Sequence, residues 1–370
     1  MNDKINIVVV DDSAFMRKSL TLMLESDPEI KVVATARDGR EGIEKIARLR
    51  PDLVTLDIEM PGMNGLDALS IIMKNYPLPV LMVSSLTTDG ADATFDALDL
   101  GAVDFISKDL SHVSVNIVKI REELIAKVKS IVRSPAIRLR FARGTVNPKS
   151  MRSAATRSMP VSVAPPSSQF AALVVGVSTG GPHALLQLLP ALPSTFPLGI
   201  AVVQHMPPHF TKSMAERLNS LSHLRVKEAE HGDRMEAGTI LIAPGGKHLT
   251  FAREARTVSA VISDEPKASL YRPSADVMMS SAASTFLEPI IGLIMTGMGK
   301  DGLEGLKLIR HNGGYVVAQN EESCVVYGMP KAAVDEGIVD SVVSLDSMAE
   351  SLVQLTRSVT HNKPEKVGDQ

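Results

Sequence analysis

Short apolar runs alternate with amphipathic segments along most of the chain, and this alternation limits the folds that the sequence can adopt. In the first third, runs such as Ile5–Val10 and Leu53–Leu56 are separated by segments with helical spacing, such as Phe15–Leu24. Alternating β and α elements favour a parallel sheet with helices on both faces. The same alternation resumes from Phe170 to about Arg357. We therefore predict two doubly wound α/β domains.

The second region also contains a hairpin signal. His248–Ala252 and Val258–Ile262 are two strand candidates joined by a short charged turn. A hairpin within a β/α region indicates a mixed sheet rather than a purely parallel one. The other strand candidates of this region are Ala172–Val177, Gly199–Gln204, Thr239–Ala243, Ile290–Met295, Tyr315–Gln319 and Ile338–Val343.

Between the two alternating regions, Ser134–Gln169 has no clear periodicity. It holds six Arg or Lys residues, no Asp or Glu, and many Ser, Ala and Pro residues. This composition is typical of a flexible tether, and a basic contact to an acidic partner is the alternative. We predict a domain over 1–125, a linker over 126–169 that starts helical, a second domain over 170–357 and a flexible tail over 358–370.

Composition argues against several classes of protein. A formal net charge of −3 over 370 residues gives no indication of nucleic-acid or membrane-surface binding. The single cysteine, Cys324, cannot form an intrachain disulfide. The N-terminus lacks a signal-peptide pattern, and no apolar run reaches the roughly 20 residues of a membrane helix. We expect a cytoplasmic protein without membrane insertion.

Polar side chains follow the strands of the first region, at the edge where open parallel sheets bind ligands. Asp11 and Asp12 follow the first strand, Asp57 ends the third, Ser84 the fourth and Lys108 the fifth. Three carboxylates at one edge need a cation to stay ionised, and an oxygen-rich site without thiols suits Mg²⁺. With a lysine and a hydroxyl beside it, Asp57 is the best candidate to accept a phosphoryl group.

Residues 1 to about 125 resemble the response-regulator receiver domains, which have a flavodoxin-like fold. The matching pieces are VVVDDS (8–13), TLDIEMPGMNGLD (55–67), LMVSSLT (81–87) and GAVDFISK (101–108). The resemblance implies that a partner histidine kinase phosphorylates Asp57. One departure is Asp109, which stands where the family usually has proline.

The resemblance also implies roles for the residues around the phosphorylation site. Ser84 and Lys108 would contact the phosphoryl group, and Phe105 would be the aromatic switch. The implied Mg²⁺ ligands are Asp12, Asp57 and the backbone carbonyl of Glu59, with Asp11 holding a coordinating water.

A serine lies at a strand-to-helix turn in the second region. Ala172–Val177 leads into Ser178, and a helical stretch, Ala184–Leu192, follows. Gly176, Ser178 and Gly180 form G-x-S-x-G, which is the context of a nucleophile elbow. The N-terminus of the following helix also offers free N–H groups. A Gly-rich phosphate or nucleotide loop is the alternative.

A nucleophilic serine needs a general base and a group that orients that base. Of nine histidines, His205 ends the strand GIAVVQH (199–205) at the same sheet edge. Asp301 lies in a glycine-rich loop after the strand PIIGLIM (289–295), and Glu321 and Glu322 are the alternatives. The backbone N–H of Met298 in that loop can face a developing oxyanion.

Residues 171 to about 355 resemble the catalytic domain of the chemotaxis protein-glutamate methylesterases, the CheB family. The resemblance implies a Rossmann-like domain with a mostly parallel sheet. Ser178, His205 and Asp301 would form the triad, with Thr179 and Met298 lining the site. The matching segments are VGVSTGGPHAL (175–185), VVQHMPPHFTKSMAERL (202–218), ILIAPGGKHL (240–249), YRPSADVMMSS (271–281), MTGMGKDG (295–302) and AQNEESCVVYGMPKAA (318–333).

The resemblance implies hydrolysis of γ-glutamyl methyl esters on chemoreceptors, with release of methanol, and deamidation of receptor glutamines. It implies Mg²⁺ in the receiver and no cofactor for hydrolysis. Two alternative interpretations of the sequence are a receiver with a nucleic-acid-binding output domain and a nucleotide-binding module. The second region lacks a helix-turn-helix pattern with a basic recognition helix, and its Gly-rich loop lacks the P-loop lysine.

Overall fold

The structure is a computed structural model that describes residues 4–85, 87–108, 115–142 and 170–358. The chain divides into two compact units, each with its own parallel sheet. Most of the predicted linker, 143–169, the tail after residue 358, and Asp109 lie outside the described residues.

The first unit contains a five-stranded sheet in the order β2-β1-β3-β4-β5, and every neighbouring pair is parallel. The predicted doubly wound fold is confirmed. The strands are β1 (Ile5–Val10), β2 (Ile30–Ala36), β3 (Leu53–Asp57), β4 (Val80–Ser84) and β5 (Asp104–Ser107). The helices are α1 (Ala14–Glu25), α2 (Gly39–Leu49), α3 (Gly65–Asn75), α4 (Thr88–Leu100), α5 (Val115–Arg133) and α6 (Pro135–Ala142).

Side-chain caps start the first four helices where the strands have just ended. Ser13, Asp38, Asn64 and Thr87 each accept a hydrogen bond from the backbone N–H three residues later. Such caps satisfy N–H groups that have no partner within the helix. Each cap therefore fixes the loop at the carboxyl end of its strand, which is the edge that carries the acidic residues.

Helix α5 crosses the predicted end of the first domain at residue 125. Leu124, Val128 and Ile131 are buried in the same apolar cluster as β1, so the helix belongs to the packing of this unit well beyond that residue. The short helix α6 follows in a segment where the sequence shows no periodicity. Its start is fixed by Ser134, whose Oγ accepts from Ile137 N at 3.3 Å. The domain bounds themselves stay a prediction.

The second sheet has seven strands in the order β14-β13-β12-β6-β7-β9-β8. Its strands are β6 (Ala172–Val177), β7 (Gly199–Gln204), β8 (Arg225–Glu228), β9 (Thr239–Ile242), β12 (Ile291–Ile294), β13 (Tyr315–Gln319) and β14 (Ser341–Val343). The helices along this part of the chain are α7 (Gly181–Leu188), α8 (Phe210–Leu221), α9 (Ala275–Thr285), α10 (Leu303–His311), α11 (Met329–Asp335) and α12 (Leu345–Ser358).

The predicted mixed character of this sheet is wrong, because all its neighbouring pairs are parallel. The hairpin exists as β10 (His248–Glu254) and β11 (Thr257–Ser263), but it forms a separate two-stranded sheet. It packs on α9, where Phe251 N donates to Ser281 Oγ at 2.9 Å. The apolar face of the hairpin is thus buried against a helix, and periodicity alone cannot distinguish this from burial at a sheet edge.

No helix in the described ranges combines the length and the apolar character needed to cross a bilayer.

Replacement of Gly65 by alanine should destabilise the first unit. A Cβ at Gly65 would lie 2.0 Å from the carbonyl oxygen of Asp57, at the start of α3. Although alanine favours a helix by about 1 kcal/mol over glycine, the clash should lower the free energy of unfolding by about 1–3 kcal/mol. Urea denaturation, followed through the unfolding transition of the first unit, measures this change.

The matched control is Ser70→Ala on the exposed face of the same helix, which should change the free energy of unfolding by less than about 0.5 kcal/mol. A Gly65→Ala protein as stable as the unmodified chain would contradict the close approach of α3 to β3.

Candidate active site and phosphorylation site

Ser178 lies between the end of β6 and the start of α7. Its backbone N–H donates to Thr296 O at 3.0 Å, and its carbonyl accepts from Gly181 N at 2.8 Å and Gln204 Nε2 at 3.0 Å. The left-handed residue of the turn is Gly180, with φ 75°. The serine itself is not among the described non-glycine residues with positive φ. The predicted turn is present, but the strained serine of a nucleophile elbow is not.

Glycines lie around Ser178, where other segments of the same chain approach closely. A Cβ at Gly297 would lie 2.9 Å from Ser178 Cβ, and one at Gly176 would lie 2.9 Å from Ala275 Cβ. The loop after β12 can therefore approach Ser178, and α9 can approach the end of β6, only where these side chains are missing. Gly297 was not predicted as a site residue, although it lies in the glycine-rich loop of Met298.

His205 follows β7 and faces Asp301. Its Nε2 lies 2.7 Å from Asp301 Oδ2, and its backbone N–H donates to Val177 O at 3.2 Å. The other ring nitrogen, Nδ1, is buried and has no hydrogen-bond partner within the described part of the chain. The structure thus brings His205 and Asp301 together, whereas no hydrogen bond joins His205 Nδ1 to Ser178. Hydrogen bonds between catalytic groups are often longer in the absence of substrate.

The carboxylate of Asp301 is held at the N-terminus of α9. It accepts hydrogen bonds from Ser274 Oγ at 2.8 Å, Ala275 N at 2.6 Å and Asp276 N at 3.1 Å. Burial disfavours the charged form, but the hydrogen bond and charge of His205 and these donors hold the pKa of Asp301 below its ordinary value. Asp301 is therefore an ionised acceptor, and the helix N-terminus adds a favourable dipole.

Buried amide groups connect the strand ends around the serine turn. Thr296 Oγ1 donates to Thr179 O at 2.9 Å, and Thr296 N donates to Gln319 Oε1 at 2.9 Å. Thr179 is buried and Met298 is half-buried. Neither Gln204 nor Gln319 was predicted as a site residue. Each is the last residue of a buried strand, and this position is the sequence feature that could have identified it.

The alternative acids are placed differently from Asp301. Glu321 and Glu322 are exposed in a short 3-10 helix, Glu321–Ser323. Asp301, in contrast, contacts the imidazole directly. The geometry favours Asp301 as the partner of His205.

The first unit gathers Asp11, Asp12 and Asp57, with one oxygen of each within 4.8 Å of the others. Lys108 Nζ lies 2.6 Å from Asp57 Oδ2 and 3.4 Å from Asp11 Oδ2. Asp11 and Asp57 are fully buried, whereas Asp12 is exposed. This oxygen-rich cluster fits a hard divalent cation such as Mg²⁺.

The pKa of Asp57 is raised to about 6, because burial and the charge of nearby Asp11 outweigh the lowering effects of Lys108 and of the Glu59 backbone N–H. That N–H donates to Asp57 Oδ1 at 3.1 Å. The positive charge of Lys108 therefore does not fully offset burial and the neighbouring carboxylate. A bound cation would supply the missing charge.

Ser84 and Phe105, the remaining predicted receiver residues, are both buried. Ser84 Oγ lies 2.8 Å from Thr94 Oγ1 and 3.1 Å from Gly90 O, so its hydroxyl is engaged with α4. Lys127 of α5 donates to Phe105 O at 2.9 Å and lies 5.7 Å from the centre of its ring. Their roles in a switch stay predictions.

Comparison with known proteins agrees with both units. A family model described as CheB methylesterase matches residues 173–352, and one described as response regulator receiver domain matches residues 7–117. A protein-glutamate methylesterase/protein-glutamine glutaminase of Oleidesulfovibrio alaskensis is 49% identical, over 94% of this chain and 98% of its own. The chain belongs to the CheB methylesterase family. The resemblance that the motifs indicate is confirmed.

Other relatives of this CheB-family chain are somewhat less similar in sequence. The protein-glutamate methylesterase/protein-glutamine glutaminase of Pyrococcus horikoshii is 45% identical, over 96% of this chain and 94% of its own. A crystal structure of the Thermotoga maritima CheB methylesterase catalytic domain is 43% identical, covers 50% of this chain and 98% of its own, and gives a TM-score of 0.49.

Ser274 was not predicted as a site residue, although it is both the cap of α9 and a donor to Asp301. We expect Ser274→Ala to lower the free energy of unfolding by about 1 kcal/mol through loss of the cap. We also expect hydrolysis by this CheB-family chain to fall about tenfold, because a hydrogen bond to a charged group is lost. Urea denaturation and steady-state rates measure the two effects.

Ser274→Thr is the matched control, since it keeps a hydroxyl at the cap position and should retain most of the activity. If alanine and threonine at this position gave equal rates, the hydroxyl would have no part in holding Asp301.

Proposed function

We propose that this chain is a phosphorylation-controlled serine hydrolase that removes methyl groups from glutamate methyl esters of chemoreceptors. The 2.7 Å contact between His205 and Asp301, at the sheet edge that also carries Ser178, is the observation on which the hydrolase rests. The substrate class comes from the names of the relatives. We place the activity in the cytoplasm, as the sequence predicts.

In the proposed reaction, His205 acts through Nδ1, because Asp301 occupies Nε2. Nδ1 takes the proton of Ser178 Oγ as this oxygen attacks the ester carbonyl. The same proton then passes to the leaving methoxide, and methanol departs from the glutamyl-enzyme. Water, deprotonated by His205, cleaves the acyl bond and restores Ser178.

Asp301 remains ionised throughout and stabilises the imidazolium that forms twice in each cycle. Its lowered pKa supports this role. For the oxyanion we propose the backbone N–H of Met298, which follows Gly297, the residue whose Cβ position would lie 2.9 Å from Ser178 Cβ. One such donor contributes a factor of roughly 10²–10³ in rate.

Deamidation of receptor glutamines needs the same groups. The amide carbonyl accepts the attack of Ser178, and His205 delivers the proton to the leaving ammonia instead of to methoxide. The relatives carry both activities in their names, and we propose both for this chain.

We propose Asp57 as the residue that receives a phosphoryl group from a partner histidine kinase. Its Oδ2 lies beside Lys108, which would contact the new phosphoryl oxygens. Mg²⁺ held by Asp12, Asp57 and the Glu59 carbonyl, with Asp11 acting through a water, would supply further positive charge. Ser84 would have to leave Thr94 before it could reach the phosphoryl group. The side chain of Phe105 would move together with Ser84 and act as the aromatic switch.

We propose that the unphosphorylated receiver limits substrate access and that phosphorylation shifts the population toward an open arrangement. The presence of two complete family domains on one chain supports this proposal. Met298 and Thr179 would line the site that becomes accessible.

Ser178→Ala should reduce methanol release from methylated receptor at least a thousandfold, because the acyl-enzyme cannot form. Gas chromatography of released methanol measures the rate. The control is Ser284→Ala on the exposed side of α9, which should leave the rate unchanged. Retained hydrolysis in the Ser178→Ala protein would refute the proposed function.

Asp57→Asn should abolish incorporation of phosphate from a small-molecule phosphodonor and the accompanying rise in hydrolysis. Removal of Mg²⁺ by a chelator should have the same effect on the unmodified chain, because the clustered carboxylates then lack a counter-charge. Phosphate stoichiometry and methanol release are measured together. Asp92→Asn, at an exposed position on α4, is the control; equal labelling of both variants would contradict the assignment.

A further inference from the structure

Tyr271 lies face to face with the imidazole of His205. The two ring centres are 4.2 Å apart and the ring planes differ by 7°. The motif YRPSADVMMSS contains this tyrosine, but no role follows from the motif or from the names of the relatives. Tyr271 is half-buried, whereas its neighbours Leu270 and Arg272 are exposed.

We propose that Tyr271 is a positioning residue that fixes the plane of the His205 imidazole through ring stacking. This inference rests on the proposed function, in which His205 is the general base. Stacked aromatic rings attract each other beyond the effect of burial alone. The stack also covers one face of the imidazole against water.

The stack supplies a restraint that Asp301 cannot supply by itself. A single hydrogen bond from Nε2 fixes one edge of the imidazole but leaves rotation about the Nε2···Oδ2 axis open. A ring lying parallel to the imidazole plane opposes this rotation. With both contacts present, Nδ1 keeps one direction, as proton transfer from Ser178 requires.

One short segment provides both restraints. Tyr271 covers the face of His205, and three residues further on Ser274 donates to Asp301, followed by Ala275 N. Because α9 starts at Ala275, the position of the tyrosine is tied to the helix that holds the carboxylate. The segment 271–275 thus restrains the histidine and its acid together.

The ring also suits the charge that develops on His205. Each proton transfer produces an imidazolium, and the face of a tyrosine ring attracts a cation placed over it. The hydroxyl of Tyr271 extends away toward the glycine-rich loop, where Oη would lie 3.5 Å from a Cβ at Gly299. Ring and hydroxyl therefore touch different groups and can be tested separately.

The test compares Tyr271→Phe with Tyr271→Leu in the full chain, using methylated receptor as substrate. Phenylalanine keeps the stack, and leucine removes it while keeping an apolar side chain. We expect leucine to lower kcat about tenfold with KM unchanged, and phenylalanine to retain most of kcat. Leu270→Ala is the control for disturbance of the same segment and should leave kcat unchanged.

A spectroscopic signature tests the contact independently of activity. In the NMR spectrum, the ring protons of His205 should be shifted upfield by the tyrosine ring in the unmodified and Tyr271→Phe chains. They should return toward ordinary positions in Tyr271→Leu. Ser178→Ala should keep the upfield shift while losing hydrolysis, which separates a failure of the proposed function from a failure of the stack.

Several results would overturn the inference. These are a wild-type kcat in Tyr271→Leu, a change confined to KM, an equal loss of kcat in the leucine and phenylalanine variants, and the absence of an upfield shift in the unmodified chain. Equal loss in both variants would assign the effect to the hydroxyl instead of the ring.

Discussion

The buried carboxylate of Asp301 is the constraint around which the candidate active site is arranged. Such a group is tolerated only if hydrogen-bond donors surround it, and here the donors are His205 Nε2, Ser274 Oγ and the first N–H groups of α9. For these donors to reach Asp301, α9 must begin beside the loop that follows β12. The close approach is possible because Gly176 leaves room for Ala275. The backbone of the serine turn, the helix start and the histidine are therefore mutually dependent.

Both sheets place their reactive groups at the carboxyl ends of parallel strands, as expected for this class of fold. This rule, applied to the sequence, was sufficient to select Asp57 and His205 at the ends of their strands and Asp301 in the loop that follows another strand. It could not identify Ser274 or Tyr271, which precede a helix and follow no strand of the seven-stranded sheet. Their functions depend on where α9 packs, and this is a tertiary property.

The sequence predicted secondary structure correctly where a strand is buried along its whole length. The prediction was wrong where tertiary packing determines the sheet to which a strand belongs. The strands β1, β6 and β13 match their apolar runs residue for residue. The hairpin β10–β11 was found but assigned to the wrong sheet, since alternation does not specify whether a sheet edge or a helix covers the apolar face. The edge strand β8, with the sequence RVKE, was missed because it carries little apolar signal. The serine turn was predicted from G-x-S-x-G, and Gly176 in this motif leaves room for the close approach of Ala275.

Asp57 and Asp301 are buried carboxylates at the same edge of two similar folds, yet their pKa values are shifted in opposite directions. Asp301 has a pKa below its ordinary value because helix N–H groups, a hydroxyl and an imidazole all donate to it. Asp57 has a pKa raised to about 6, since burial and the adjacent Asp11 outweigh Lys108 and one backbone N–H. The first carboxylate has its oxygens occupied and can only orient and stabilise. The second is buried beside another carboxylate with one lysine nearby, so an added cation would stabilise its ionised form. The number of donors around each group, more than its position in the sheet, therefore sets the direction in which its pKa is shifted.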